Sequence, residues 1–171
     1  MHAALLYLRE HARTEREMRD KLEKKGFDAE VVSYIVTRLR ATGLLDDARF
    51  AIDWAQARAR KAIGSRRVRQ ELRVKGVSDA DADAAIIAMR GKDSIPDAEF
   101  DDSGEYDPTL ASAIAFARRG LSRLSGQPAA DVRRKLTQSL VRRGYGFTDA
   151  RSAVSSAMLS AADADDSDYT E

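Results

Sequence analysis

The chain has 171 residues, 43% hydrophobic and 33% charged, with three prolines and no cysteine. That composition suits a globular chain, its Ala, Leu, Arg and Glu bias favours helix, and the lack of thiols excludes disulfides and thiolate metal sites. The opening apolar run, Ala3 to Leu8, breaks at Arg9 after six residues, too short for a signal-peptide core or a membrane span, so a cytoplasmic chain with no membrane contact is expected.

A net charge of +1 hides an uneven distribution. Residues 1–90 carry 19 cations and 14 acids, 91–106 carry one and six, 107–162 carry nine and three, and 163–171 carry none and five. Basic folded blocks are therefore expected to alternate with acidic segments too poor in apolar residues to fold.

In chain order, the first helix is expected through AALLYLREH and the second through the segment ending at Gly26. The third starts at a capping Asp28, carries Val31, Val32, Ile35, Val36 and Leu39 at helical spacing, and stops at Gly43. A second set follows: DARFAIDWAQARAR, with Asp46 and Asp47 at its dipole-positive start, then Ser65 to Gly76, then a helix capped at Ser78 with Ala82, Ala85, Ile86 and Met89 inward. Phe50 and Trp54, four apart, read as core. After an acidic stretch come PTLASAIAFARRG, with Asp107 and Pro108 as N-cap and N1, a helix ending at Gly144, and a last helix capped at Thr148 whose stripe, AVSSAML, is the weakest of the three third helices.

These sets superimpose. LEKKGF (Leu22–Phe27), LRVKGV (Leu72–Val77) and LVRRGY (Leu140–Tyr145) align without gaps. Four residues before the glycine stand Leu22, Leu72 and Leu140; eight before it stand Met18, Val68 and Leu136, successive inward positions of one helical face. Immediately before it stand Lys25, Lys75 and Arg143. A glycine there can take the left-handed conformation that ends a helix, with a cation facing the negative end of the dipole. The expected architecture is all-α, an elongated array of three tandem three-helix repeats sharing a core: 1–45, 46–90 and 107–162, with an acidic linker at 91–106 and a disordered acidic tail at 163–171.

No catalytic, cofactor-binding or metal-binding residues are expected. His2 and His11 fit no triad or metal spacing, and the glycines punctuate helix ends rather than forming a GxxxxGK[ST] phosphate loop. The informative residues are cations. On the helix from Ser65, residues Arg66, Arg69, Gln70 and Arg73 share an arc of about 100° opposite Val68 and Leu72, with Lys75 beyond them. The third repeat places Arg134, Lys135 and Arg142 on one arc, with Arg143 following. In the first repeat, by contrast, Glu15–Arg19, Glu17–Lys21 and Asp20–Lys24 lace an ordinary solvated surface at i, i+4. Guanidinium groups massed without acids point to an anionic partner, so these eight cations are the candidate partner-binding face. A helix-turn-helix reading is disfavoured because Asp79, Asp81 and Asp83 would put acids on the recognition helix. Nor do aromatic and basic residues interleave as a base-stacking platform requires.

RTEREMRDKLEKKGFD (Arg13–Asp28), GLLDDARFA (Gly43–Ala51) and GSRRVRQELRVKGVS (Gly64–Ser78) closely resemble the RecX regulatory family, and RRKLTQSLVRRGYGF (Arg133–Phe147) is similar to the family's last repeat. A monomer without enzymatic activity is expected, and the resemblance implies a modular protein of tandem three-helix repeats that lies in the groove of the RecA nucleoprotein filament and contacts neighbouring protomers. It implies restraint of recombinase, ATPase and co-protease activity, and so a place in homologous recombination, DNA repair and the SOS response, with direct DNA contact weaker than filament contact. The alternatives left open by the residues are a free-standing helical nucleic-acid-binding protein and an adaptor unrelated to recombination.

Overall fold

The computed structural model describes the backbone of residues 1–89 and 110–166, with side chains through Ala161. The acidic linker at 91–106 and the caps expected at Asp107 and Pro108 lie outside the described residues. Those that are described form nine helices and no strand: α1 (His2–Glu10), α2 (Glu15–Glu23), α3 (Ala29–Ala41), α4 (Asp47–Ala59), α5 (Ser65–Val74), α6 (Asp79–Ala88), α7 (Leu110–Arg123), α8 (Ala129–Arg142) and α9 (Phe147–Asp166). The fold is all-α and built of helical repeats, as its sequence indicates. Two compact units result, Met1–Ala55 with Arg69–Ala88, and Gln56–Val68 with Met89–Glu171, so α4 and α5 each contribute to both.

The repeat register holds throughout. Leu22, Leu72 and Leu140 are fully buried, as are Met18 and Val68, and Leu136 is 4% exposed. Gly26, Gly76 and Gly144 all have positive φ, at 84°, 85° and 93°. Each helix end closes in the same way: the amide after the glycine donates to the carbonyl of the buried leucine, from Phe27 to Leu22, Val77 to Leu72 and Tyr145 to Leu140. That pairing satisfies a carbonyl the helix itself would leave without a donor.

In the first unit, α1–α3 enclose Ala4, Met18, Leu22, Val32, Ile35, Val36, Leu39 and Leu45. Val31, expected in that stripe, is 43% exposed, because the inward face runs through 32, 35, 36 and 39. Thr14 caps α2 in a reciprocal box, its Oγ1 accepting from the Glu17 amide and its own amide donating to Glu17 Oε2. The two acids ahead of α4 divide their work. Asp46 Oδ1 accepts from the Arg49 amide at 2.9 Å, capping α4, while Asp47 Oδ1 reaches the Glu15 amide at 2.9 Å and caps α2. Asp47 therefore ties two repeats together, beyond the dipole role expected of it. Ser78 caps α6, its hydroxyl accepting from the Asp81 amide, whereas Asp28 sits at the N-cap of α3 without a side-chain bond.

In the second unit, α7–α9 surround a separate cluster that includes Ile114, Val132, Leu136, Leu140, Tyr145, Val154 and the alanines of α9. The first and third repeats thus have apolar clusters of their own. Gly120, expected to end a helix, lies inside α7, where a Cβ would come 2.4 Å from Leu136 Cδ2; the missing side chain lets α8 approach closely. Thr148 is not the cap of α9: the helix already begins at Phe147, and the Gly146 carbonyl accepts from the Ala150 amide. With 20 residues α9 is the longest helix among the described residues, and its Ala150, Ala153 and Ala157 are fully buried, so a stripe poor in large side chains still packs closely. Its backbone stays helical through Asp166, four residues into the segment expected to be disordered.

Leu22→Ala, Leu72→Ala and Leu140→Ala are each expected to cost about 2–5 kcal/mol, the range for truncating a buried leucine, read by urea denaturation. Asp47 offers a second test. Burial, reinforced by the Glu15, Asp81 and Asp46 carboxylates and opposed by the Glu15 amide, pushes its carboxyl above the ordinary value. A raised folded-state pKa means this group favours folding most when protonated, and that contribution fades as pH climbs through the raised value. Asp47→Asn keeps the Oδ1 acceptor and is expected to remove that pH dependence with no loss of stability at neutral pH. Asp47→Ala removes the cap and should cost about 0.5–2 kcal/mol.

Candidate partner-binding surface

The α5 cations are not the unpaired row their spacing indicates. Arg69 Nε bonds Asp83 Oδ1 at 2.8 Å, and Arg73 bonds Asp79 Oδ1 through Nε at 3.2 Å and Nη2 at 3.0 Å. The acids opening α6 therefore face α5 and neutralise it, which the helical wheel of α5 alone could not reveal. Both pairs are open to water, with side chains 39–68% exposed; such pairs contribute about 0–1 kcal/mol and open readily. Arg66 and Arg67 are exposed yet also engaged within the chain.

Lys75 plays a different part. Its Nζ lies 2.6 Å from Glu17 Oε1, 4.3 Å over the Trp54 ring and 5.4 Å over Phe50, and only 21% of the side chain is exposed. Phe50 and Trp54 stack with centroids 5.7 Å apart, and Trp54 Nε1 donates to Glu71 Oε2 at 3.1 Å. The two rings are thus half-buried walls around an ammonium group rather than apolar core. Glu17, expected to pair with Lys21, turns to Lys75 instead, and Lys21 lies 5.3 Å over the Tyr7 ring. Glu15 lies 3.6 Å from Arg40.

The backbone repeats this arrangement in each unit. In the first, Thr14 Oγ1 donates to the Lys75 carbonyl at 2.6 Å; in the second, the Gly64 amide donates to the Arg143 carbonyl at 3.0 Å. Thr14 and Gly64 both stand twelve residues before their repeat's glycine, and Lys75 and Arg143 both stand one before theirs. Arg143 also mirrors Lys75 in its side chain, with Cζ 4.3 Å over the Phe116 ring and Nη1 donating to the Lys61 carbonyl at 2.9 Å. Glycine is required at both junctions: a Cβ at Gly76 would lie 2.5 Å from Arg16 Cβ, and one at Gly144 would lie 2.4 Å from Arg67 Cβ, on top of the positive φ.

On α8, Arg134 Nη2 bonds Asp131 Oδ1 at 2.9 Å and Lys135 bonds Gln127 Oε1 at 2.7 Å. Arg142 is exposed and has no partner among the described residues. Sequence spacing does not disclose a cleft in the second unit, lined by Arg60, Lys61, Phe116, Arg119, Gly120, Arg123 and Arg143, with a volume of about 240 Å³. Of its five cations only Arg143 belongs to the face expected from sequence. The others come from the end of α4 and from α7, where the cation spacing at 119 and 123 was the available signal. Among the described residues no group of three His, Asp or Glu side chains is placed to hold a metal ion, and no helix is long and apolar enough to cross a membrane.

Three-helix repeats, the second and third with cation-rich second helices, define a tandem helical-repeat protein. A model of the first three-helix domain of RecX matches residues 1–39, and one of its second three-helix domain matches residues 46–86. The chain is 33% identical over 145 residues to a protein named Regulatory protein RecX from Mycobacterium tuberculosis (strain H37Rv), covering 84% of this chain and 77% of the relative. It is 34% identical over 144 residues to one of the same name from Mycobacterium sp. (strain KMS), covering 82% and 72%. In fold it resembles the crystal structure of RecX from Lactobacillus salivarius, with a TM-score of 0.76, 22% identity and coverage of 92% and 94%. A second RecX crystal structure matches with a TM-score of 0.65 at 25% identity, covering 85% of this chain and 64% of that one. The chain belongs to the RecX family of regulatory proteins.

Lys75→Met is expected to destabilise the protein by about 1–3 kcal/mol, since it removes the ammonium group that pairs with the half-buried Glu17 carboxylate. The double variant Glu17→Gln/Lys75→Met should recover part of that loss in a double-mutant cycle, with Trp54 fluorescence reporting the opened cage.

Proposed function

We propose that this protein is a non-catalytic, cytoplasmic regulator that binds the RecA–DNA filament as a monomer and restrains recombinase, ATPase and co-protease activity. The observation that carries this reading is kinship: about a third of the residues match over most of the chain with proteins named as RecX regulators. In this reading Arg66, Arg69 and Arg73 on α5 and Arg134, Lys135 and Arg142 on α8 meet the acidic surface of the filament. Lys75 and Arg143 act mainly by holding their repeats in register. A filament-bound form would exchange the Asp79 and Asp83 pairs for contacts with the partner. A second reading, direct binding to bare nucleic acid, is favoured by one observation: the second unit has five cations within 56–68 and nine within 110–161, against Asp131 and Asp149 as the acids of those segments.

The deciding experiment is RecA-catalysed ATP hydrolysis on single-stranded DNA with and without this protein. Addition is expected to suppress turnover, and Arg66→Gln/Arg69→Gln/Arg73→Gln to blunt the suppression while leaving the fold intact. Glutamine is preferred to glutamate because a reversed charge would confront Asp79 and Asp83. Unchanged ATPase, together with tight binding to bare single strands that falls with salt at a log–log slope of about 0.7 per phosphate contacted, would favour the second reading.

A further inference from the structure

We propose that the arginine-lined cleft of the second unit binds a compact oligophosphate: pyrophosphate, tripolyphosphate or the phosphate chain of a nucleotide. This goes beyond the filament reading and does not rest on it. Arg60, Lys61, Arg119, Arg123 and Arg143 line one space of about 240 Å³, and no acid lines it. Arg60, Arg119 and Arg123 are exposed and have no acidic partner among the described residues. Like charges are brought together here against their mutual repulsion, a cost that a bound anion offsets.

The chemistry of the lining narrows the ligand. A carboxylate or a single phosphodiester brings one negative charge to five cations, whereas an oligophosphate concentrates several charges within a few ångströms. Guanidinium forks match phosphate oxygens two at a time. The volume is below the roughly 300–1,000 Å³ typical of sites that enclose a whole small-molecule ligand, so it suits phosphates without an enclosed base. Phe116, the aromatic residue in the lining, already has Arg143 over its ring at 4.3 Å, and that arginine is held from the other side by the Lys61 carbonyl. The ring face that Arg143 covers is not left to stack a base, and recognition falls to the phosphates. Gly120 lines the cleft between Arg119 and Arg123. A bound oligophosphate would bridge the end of α4 to α7 and brace the junction where Gly64 meets Arg143.

The test is isothermal titration of the full-length protein with tripolyphosphate, with ATP and orthophosphate as comparison ligands. One site is expected, with ATP close to tripolyphosphate because the base is unread, and orthophosphate weaker by at least about tenfold because it presents a single phosphate. Arg119→Gln/Arg123→Gln should lose binding by about tenfold or more, and Arg119→Lys/Arg123→Lys, which keeps charge but not the fork, should fall between it and the parent. The lysine variant decides the matter should the glutamine variant fail to fold by circular dichroism. Equal binding by parent and lysine variant, or equal affinity for orthophosphate and tripolyphosphate, would overturn the proposal. Displacement of tripolyphosphate by a short oligothymidylate at lower phosphate concentration would also overturn it and reassign the cleft to a nucleic-acid backbone.

Discussion

The carbonyl that ends the second helix of a repeat accepts a hydrogen bond from the N-cap position of the second helix before it, and the rest of the structure is arranged around that bond. Helix ends leave carbonyls without donors, and burying one unpaired is costly. Here the first unit supplies the Thr14 hydroxyl to Lys75, and the second supplies the Gly64 amide to Arg143. The other repeat-defining residues follow from this contact. The glycine one position on must turn left-handed and must carry no Cβ against Arg16 or Arg67. The cation bearing the carbonyl folds back over an aromatic ring of its own repeat's first helix, Trp54 or Phe116. Glu17 then does two jobs at once, capping Thr14 and pairing with the Lys75 ammonium. In the first repeat the equivalent Gly26 has nothing within 4 Å, and its glycine answers to the backbone turn alone.

Much of this was legible in the sequence and some was not. The leucine at −4, the apolar residue at −8 and the glycine are local to one helix and its end, so a 3.6-residue period and a left-handed C′ position reveal them directly. The alanine-rich α9 was underrated because periodicity weighs large side chains, whereas Ala150, Ala153 and Ala157 are fully buried through close approach. The pairing of Arg69 and Arg73 was hidden for a different reason. A helical wheel shows which side of α5 is cationic but not what α6 places opposite, and the acids at 79 and 83 were already explained by their own helix dipole. The cleft is further out of reach, since it draws on positions 60–61, 116–123 and 143, which become neighbours only after the junction forms.

Those two electrostatic patterns divide the candidate site. In the first unit, α6 opens with Asp79, Asp81 and Asp83, and α5 cations are neutralised locally. In the second unit, α9 opens with Asp149 alone, and cations far outnumber acids in the described side chains. Similar repeat geometry therefore carries different electrostatics, neutralised where the third helix opens with several acids and cationic where it opens with one. A cationic cleft with low-dielectric walls focuses its field on an incoming anion, whereas exposed ion pairs present almost none at a distance.

On the proposed reading this contrast bears on discrimination. A phosphate approaching α5 must displace Asp79 and Asp83, exchanging one exposed, screened pair for another, and the net gain is close to nothing. Bare DNA offers little to that helix beyond the exchange. A protein filament can add shape-matched contacts and exclude water, which strengthens every charge pair it covers. Local neutralisation of α5 would then suppress binding to wrong anionic surfaces more than to the right one. Specificity would arise from the acids of α6 as much as from the arginines they hold, because they penalise partners that offer charge without complementarity.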